Sequence, residues 1–340
     1  MTVLPLKGLK VVEFEGLGPG PLAGHMLAQA GAEVTLIARP TANAVSAQLG
    51  AGSTPLRDGK QLVLLDLKNA ADMSCALDLV AGADALIEGN RPGVMERLGL
   101  GPEVCRARNP KLVYGRMTGW GQTGPLANAA GHDLNYVALT GLLSLSARPG
   151  ERPILPPTVA GDGVGALGLA YGIVCGVLRA RLSGQGTVVD AAITDLTAMV
   201  GGLAYWVHGS GRLGGASPSA FHDSPFYDVY VCAGGGFITL AALEPQFYAL
   251  LLQKLELHDV DPRAQYDSAL WPALKARFAA LFLTRTREDW NALFEGSDVC
   301  YAPVLSITEA AAHPHNRARG TLTPVPGGGA QPGPAPRFGA

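Results

Sequence analysis

Leu9-Lys10-Val11-Val12-Glu13-Phe14, running into Gly16-Leu17-Gly18-Pro19-Gly20-Pro21, is the stretch that decides the fold. The first six residues have the length and apolar character of a buried strand. Beyond the glycine–proline turn, residues 22–30 form an apolar helical pattern closed by Gly31, and residues 32–38 read as a second strand. Strand, helix and strand in so short a span make a βαβ unit, which requires a parallel sheet. The turn invites a dinucleotide reading, but Pro21 stands where G-x-G-x-x-G needs its third glycine. No acid follows the second strand to hold a ribose; Arg39 is there instead. A cation at that point suits a phosphate, and it is equally an ordinary surface arginine.

Working outward, residues 61–66, 83–88 and 112–114 read as further strands, with a helix over 70–80 and a short one ending at Arg97-Leu98-Gly99-Leu100-Gly101. Alternation of this kind predicts an α/β fold with a parallel sheet covered on both faces. Ligands of such sheets sit at the carboxyl ends of the strands. Arg39, Lys68 and Arg91 each follow a strand and Arg97 lies one turn beyond, so these cations can gather on one rim and suit a ligand with several phosphates. Each one alone is a solvated surface charge. Residues 164–182 carry Gly165, Ala166, Gly168, Ala170, Gly172 and Gly176, small residues that allow close backbone packing, and are read as a core helix. A further helix is predicted over 191–207. Residues 209–220 form a linker rich in glycine, alanine and serine. The pattern then changes to a hairpin, 226–232 and 237–241 around Gly234-Gly235-Gly236, and helices over 245–255, 271–281 and 287–294, so a smaller α+β domain is expected over 221–305. The glycine- and proline-rich tail holds an edge strand at 321–325.

The chain has 340 residues, 48% of them hydrophobic and 16% charged, with net charge −2. That is enough apolar material for a large core and too little positive charge for nucleic acid or an anionic membrane to be a default partner. The first residues lack the basic-then-apolar pattern of a signal peptide. Cys75, Cys105, Cys175, Cys232 and Cys300 are scattered without C-x-x-C spacing. Reduced thiols, no structural zinc and a cytoplasmic location are therefore expected. No G-x-S-x-G, Walker loop or H-E-x-x-H occurs, His313-Pro314-His315 reads as a loop turn, and His25 as a residue of the first helix.

Chemistry centres on Gly131-His132-Asp133-Leu134-Asn135-Tyr136, which follows the turn-rich Thr118-Gly119-Trp120-Gly121-Gln122-Thr123-Gly124-Pro125. A helix is predicted from residue 134 to 143, so His132 sits by exposed N–H groups at its positive end, either as an acid/base or as part of a cap. The N–H of Asp133 is placed to receive a developing oxyanion. Asp162, between Gly161 and Gly163, opens the next helix; it is an N-cap, or a carboxylate that a substrate approaches closely. Glu244, before Pro245, is either a surface acid or a third member of the site.

These motifs together resemble the class III coenzyme A transferases (the CaiB/BaiF family) and, within them, the α-methylacyl-CoA racemases. The matching stretches are 6–12, 16–21, Leu65-Asp66-Leu67-Lys68, 88–93, 96–101, 117–125, 131–136, Gly161-Asp162, Glu244-Pro245-Gln246-Phe247 and 312–320, in order along nearly the whole chain. The resemblance implies a large Rossmann-like domain over 1–208 to which 306–340 return, in an interlocked homodimer with the active site shared between subunits. It implies an acyl-CoA thioester substrate, held at Arg39, Leu65, Asp66, Leu67, Lys68, Gly89, Asn90, Arg91 and Arg97, with Gly131 letting CoA pass and Tyr136 beside it. It also implies racemisation of 2-methylacyl-CoA through an enolate. His132 and Asp162 are the two bases, Glu244 of the other subunit orients His132, the Asp133 N–H takes the enolate oxygen, and neither metal nor cofactor is needed. The alternative is CoA transfer with Asp162 as nucleophile, although the transferases generally lack a histidine where His132 stands. A non-catalytic CoA-binding scaffold would not need His132, Asp162 and Glu244 together. The sequence departs from the racemase pattern at Thr158, where asparagine is usual, and at Phe14-Glu15.

Overall fold

The computed structural model describes residues 4–41, 55–148, 150–325 and 329–339. Residues 1–3 of the segment read for a signal peptide, and 326–328 and 340 of the tail, lie outside them. The chain divides into two compact units, one of residues 1–147, 152–202 and 334–340, the other of 148–151 and 203–333.

In the first unit the order is β1 (Lys10–Phe14), α1 (Pro19–Gln29), β2 (Glu33–Ala38), β3 (Lys60–Leu64), α2 (Ala70–Ala81), β4 (Ala85–Glu88), α3 (Val94–Arg97), α4 (Pro102–Arg108), β5 (Val113–Thr118), α5 (Asp133–Leu139), α6 (Val164–Ser183), β6 (Val188–Ala192) and α7 (Ile193–Val200). The six strands pair in parallel in the order β3-β2-β1-β4-β5-β6, the doubly wound arrangement with its switch point between β1 and β4. Alternation within each strand sorts the core into two layers. Val11, Ala85, Ile87 and Val113 pack with Ala23, Leu27, Leu169 and Ile173 of α1 and α6. Val12, Phe14, Leu86 and Tyr114 pack on the other face with Leu77, Val80, Met95 and Cys105 of α2 to α4.

The expected close approach of α6 is realised: a Cβ added at Gly172 would stand 2.7 Å from Val189, and one at Gly176 2.7 Å from Val113. By length and composition the helical stretch Val159–Ser183 could cross a membrane. Here one of its faces is buried against the sheet, while Leu167, Tyr171, Val174, Leu178 and Leu182 stay exposed. Under α1, on the same side of β1 as Val11, Glu13 meets Lys60 at 2.6 Å, each side chain 1% exposed. Lys60 also donates to the Pro21 carbonyl at 2.9 Å. Gly24 makes room for this pair, since a Cβ there would lie 1.8 Å from Glu13 Oε2. Burial pushes the Glu13 carboxyl up to about 7 against the pull of Lys60.

Two local expectations change. The helix expected over 134–143 stops at Leu139; Gly141, at φ 81°, turns the chain into a 3₁₀ turn, Leu142–Ser146. The helix expected over 191–207 begins later, because Ala191 and Ala192 pair with Met117 and Thr118 at the end of β6, and it breaks near Gly201. Ladder pairing here overrides the helix propensity of alanine.

The second unit holds α8 (Gly202–Gly209), β7 (Tyr227–Val231), β8 (Phe237–Ala241), α9 (Pro245–Lys254), α10 (Trp271–Phe282), α11 (Arg287–Phe294), β9 (Tyr301–Val304), α12 (Ile307–Ala312), α13 (Pro314–Arg319), β10 (Leu322–Val325) and β11 (Gly329–Pro332). An aromatic core of Phe226, Tyr230, Tyr248, Trp271, Phe278, Phe282, Trp290 and Phe294 fills it. Residues Tyr301–Val304 form a third antiparallel strand, β9, on the edge of the β7–β8 hairpin, where Pro303 needs no ladder donor of its own. Residues 306–333 stay with this unit instead of returning to the first; only 334–340 return, and the boundary expected at 208 falls at 202. Arg287 explains much of this, pairing with Glu309 of α12 and donating to the Val304 carbonyl at 2.9 Å.

Candidate active site

Asp162 does not cap α6. Residues Val159–Gly163 form a single π-helical turn ahead of it, and Asp162 lies inside that turn with no side-chain cap bond. Turns of this type are often found at functional sites. The device that shapes it is Asp133. One carboxylate oxygen accepts the N–H groups of Gly161 and Asp162, both at 2.8 Å, and the other accepts that of Thr158 at 3.1 Å. Gly161 is obligatory, because a Cβ there would stand 2.5 Å from Asp133 Oδ1. The first residue of α5 is thus tied to the turn that carries Asp162.

His132 is the N-cap residue of α5, exposed, and its backbone N–H donates to Asn135 Oδ1 at 3.1 Å. It is near enough to Asp162 for its charge to favour the carboxylate. The balance goes the other way: burial first, and the Asp133 charge second, hold the Asp162 carboxyl above its ordinary value. Beyond Asp162 stands the N-terminus of α1, where Gly18 (φ 67°) would place a Cβ 3.4 Å from Asp162 Oδ2. The glycine–proline turn that fails as a dinucleotide fingerprint therefore walls the carboxylate. The N–H of Asp133, at the first position of α5, has no partner within the helix and remains available to an oxyanion.

Gly131 also has a packing role: a Cβ there would meet the Tyr136 ring at 2.8 Å and Trp120 at 3.0 Å, so the glycine seats an aromatic pair. Tyr136 donates to the Gly131 carbonyl and stacks edge-on with Trp120, ring centroids 4.7 Å apart. Its phenol is raised by burial and by Asp162, with Arg91 opposing, which puts both charges in its vicinity. Glu244 belongs to the second unit, exposed at the N-cap of α9.

The expected phosphate-binding residues divide. Arg39, Asp66, Leu67 and Lys68 line one groove of about 410 Å³ with Pro40, Thr41 and Leu98. The side chains of Arg39, Lys68, Arg91 and Arg97 enter no ion pair among the described residues. Asp66 turns its carboxylate onto the Lys68 N–H at 3.1 Å and fixes the loop. Leu65 is 6% exposed and belongs to the core, so its side chain is not part of the groove. Gly89, Asn90 and Arg91 follow β4 at the switch point, and Arg97 ends α3. Among the described residues no group of three or more His, Cys, Asp or Glu side chains is arranged to hold a metal.

The profile of CoA-transferase family III matches residues 6–340. The chain belongs to that family. It is 40% identical over 335 residues to the mouse alpha-methylacyl-CoA racemase, covering 97% of this chain and 85% of that protein. Against the human alpha-methylacyl-CoA racemase it is 36% identical over 343 residues, with 98% and 86% covered. The crystal structure of a CaiB/BaiF family protein from Brucella suis superposes with a TM-score of 0.82 at 26% identity, covering 99% of this chain and 93% of that one. The α/β fold is thus the family's. The sequence singles out His132 and Asp162 but gives no sign of the Asp133 carboxylate and Gly18 beside Asp162, or of Trp120 against Tyr136. The only signal for Asp133 was its place beside His132; its acceptor role depends on N–H groups more than 20 residues away.

Proposed function

We propose that this protein interconverts (R)- and (S)-2-methylacyl-CoA thioesters by 1,1-proton transfer at C2. The observation that carries the reading is the Asp133 clamp, which joins the helix end bearing His132 to the π turn bearing Asp162. Racemisation needs two groups of opposite protonation state flanking one carbon. One removes the C2 proton, the electron pair moves to the thioester oxygen as an enolate, and the other delivers a proton to the opposite face. A carboxyl held above its ordinary value suits the protonated partner. The enolate oxygen takes its hydrogen bond from the Asp133 N–H. Likeness to two racemases over nearly the whole chain supports the same substrate class.

The CoA nucleotide is assigned to the groove of Arg39, Asp66, Leu67 and Lys68, with Arg91 and Arg97 on the diphosphate and Gly89 and Asn90 shaping the loop. Neither cofactor nor metal enters the mechanism. A homodimer in which Glu244 of one subunit orients His132 of the other completes the site. The exposed apolar row of α6, Leu167 to Leu182, is the kind of surface a second copy would cover. All five cysteines are unpaired, in keeping with the reducing cytoplasm.

The experiment is deuterium incorporation at C2 from ²H₂O, starting from either epimer. Label and both epimers are expected, and no label with several 2-methylacyl-CoA thioesters refutes the proposal. The second reading, CoA transfer through an anhydride on Asp162, is favoured by the space that Gly18 leaves beside its half-buried carboxylate. His132→Ala abolishes exchange under the first reading and spares transfer under the second.

A further inference from the structure

The loop assigned to the diphosphate starts directly after Glu88, whose side chain is fully buried. One of its oxygens accepts Arg116 Nε at 2.9 Å, and the other accepts the backbone N–H of Asn90 at 2.7 Å. Arg116 lies opposite Glu88 in the register of β4 and β5. Its far end reaches Glu96 of α3, with Nη1 at 2.7 Å and Nη2 at 3.2 Å from the two carboxylate oxygens. Both edges of the guanidinium are used, the bidentate geometry a lysine cannot reproduce. Asn90 is held from its other side by Met95, Nδ2 to Sδ 3.3 Å. Arg97 follows Glu96 and folds back over Gly93, where a Cβ would lie 3.1 Å from Nη1.

An acid–base–acid row buried at its Glu88–Arg116 end contributes little net stability, because the loss of hydration there offsets the attraction. What this one does is geometric. It fixes the loop bearing Arg91 and the helix bearing Arg97 to the same guanidinium at the switch point of the sheet.

We propose that Glu88, Arg116 and Glu96 form a positioning device that sets Arg91 and Arg97 at the spacing of a diphosphate; this rests on the reading of the substrate as a CoA thioester. None of the three touches the ligand. They act through the two arginines, so their loss shows only with ligands that carry the phosphates.

The test uses Glu96→Gln and Arg116→Lys in the full-length protein. Glu96 is 44% exposed and its replacement leaves the Glu88–Arg116 pair intact, so this variant keeps its fold. Calorimetric titration with CoA itself is expected to give a Kd about tenfold weaker for each variant. KM for the 2-methylacyl-CoA thioester rises by the same factor while kcat stays within about twofold. With the phosphate-free 2-methylacyl-pantetheine thioester, kcat/KM is unchanged. Wild-type affinity for CoA in both variants overturns the inference alone, as does an equal loss for CoA and pantetheine thioesters, which would mark a merely structural row. A wild-type protein that does not bind CoA overturns the inference together with the reading beneath it.

Discussion

Replacing Asp133 with alanine separates the Asp162 turn from the helix that carries His132. Three backbone N–H groups lose their acceptor, at 2.8, 2.8 and 3.1 Å. Hydrogen bonds to a charged group contribute about 1.5–3 kcal/mol each. The carboxylate is half-buried, two of the bonds share one oxygen, and water takes up part of what is lost. A local loss of about 3 kcal/mol follows. Read as an opening equilibrium, that is roughly a hundredfold, since about 1.4 kcal/mol is a factor of ten. Hydrogen exchange of the Gly161 and Asp162 amides is therefore expected to quicken by about two orders of magnitude, while amides of β1 and β4 keep their protection. The pH profile supplies an independent sign. Burial and the Asp133 charge both hold the Asp162 carboxyl high. The substitution removes the charge and admits water, so both causes weaken and the limb of kcat/KM governed by Asp162 moves to lower pH. Unchanged exchange at Gly161 and Asp162, or a limb moving to higher pH, refutes the clamp.

Other outcomes follow from the same physics. Thr158 sits at φ 63° and ψ 2°, a conformation unfavourable to a β-branched residue and tolerated by asparagine. Thr158→Asn keeps the N–H to Asp133 and is expected to stabilise the first unit by about 1 kcal/mol in chemical denaturation; a loss of stability would contradict the strain. Lys60→Met leaves Glu13 buried without its partner and is expected to cost about 3–5 kcal/mol, and the double variant Glu13→Gln/Lys60→Met clearly less. The pH dependence of wild-type stability carries the Glu13 signature. A carboxyl raised from 4.5 to about 7 in the folded state stabilises fully below 4.5, and that contribution is lost as pH climbs through about 7. In Glu13→Gln that part of the slope vanishes, which denaturant titrations between pH 4 and 8 will read. Arg39→Ala with Lys68→Ala is expected to weaken CoA about tenfold and to flatten the salt dependence of binding, leaving a pantetheine thioester unaffected; equal binding in low salt would remove the groove from the nucleotide site.

The sheet was legible because β1, β2 and β4 bury both faces and so read as apolar runs at the right spacing. The hairpin of the second unit was legible from alternation around three glycines. What escaped depends on distant partners. Nothing local to Tyr301-Ala302-Pro303-Val304 says that it pairs with β8, and a proline argues against a strand until its place on the edge is known. The β6 end escaped because two alanines read as helix until Met117 and Thr118 are set beside them. In the site, His132 and Asp162 stood out because glycines isolate them. Asp133 was read through its backbone alone, since its carboxylate finds its donors in a turn over 20 residues further on. The packing at Gly131 is not legible locally, because the rings against it come from Trp120 and Tyr136, on either side of it in the chain.

α6 is apolar on both sides: Gly172 and Gly176 lie with Leu169 and Ile173 against the sheet, and Leu167, Tyr171, Leu178 and Leu182 face outward. Apolarity cannot tell such a helix which way to turn, because both faces are apolar. Bulk helps to set its rotation: at Gly172 and Gly176 a Cβ would come within 3 Å of Val189 and Val113. An alanine at Gly172 or Gly176 would therefore act less like a core defect than like a wedge. It would lift the whole rod, carrying the outward row of leucines with it and dragging on the turn at Asp162. That outward row and the turn at Asp162 belong to one continuous helical stretch, Val159–Ser183.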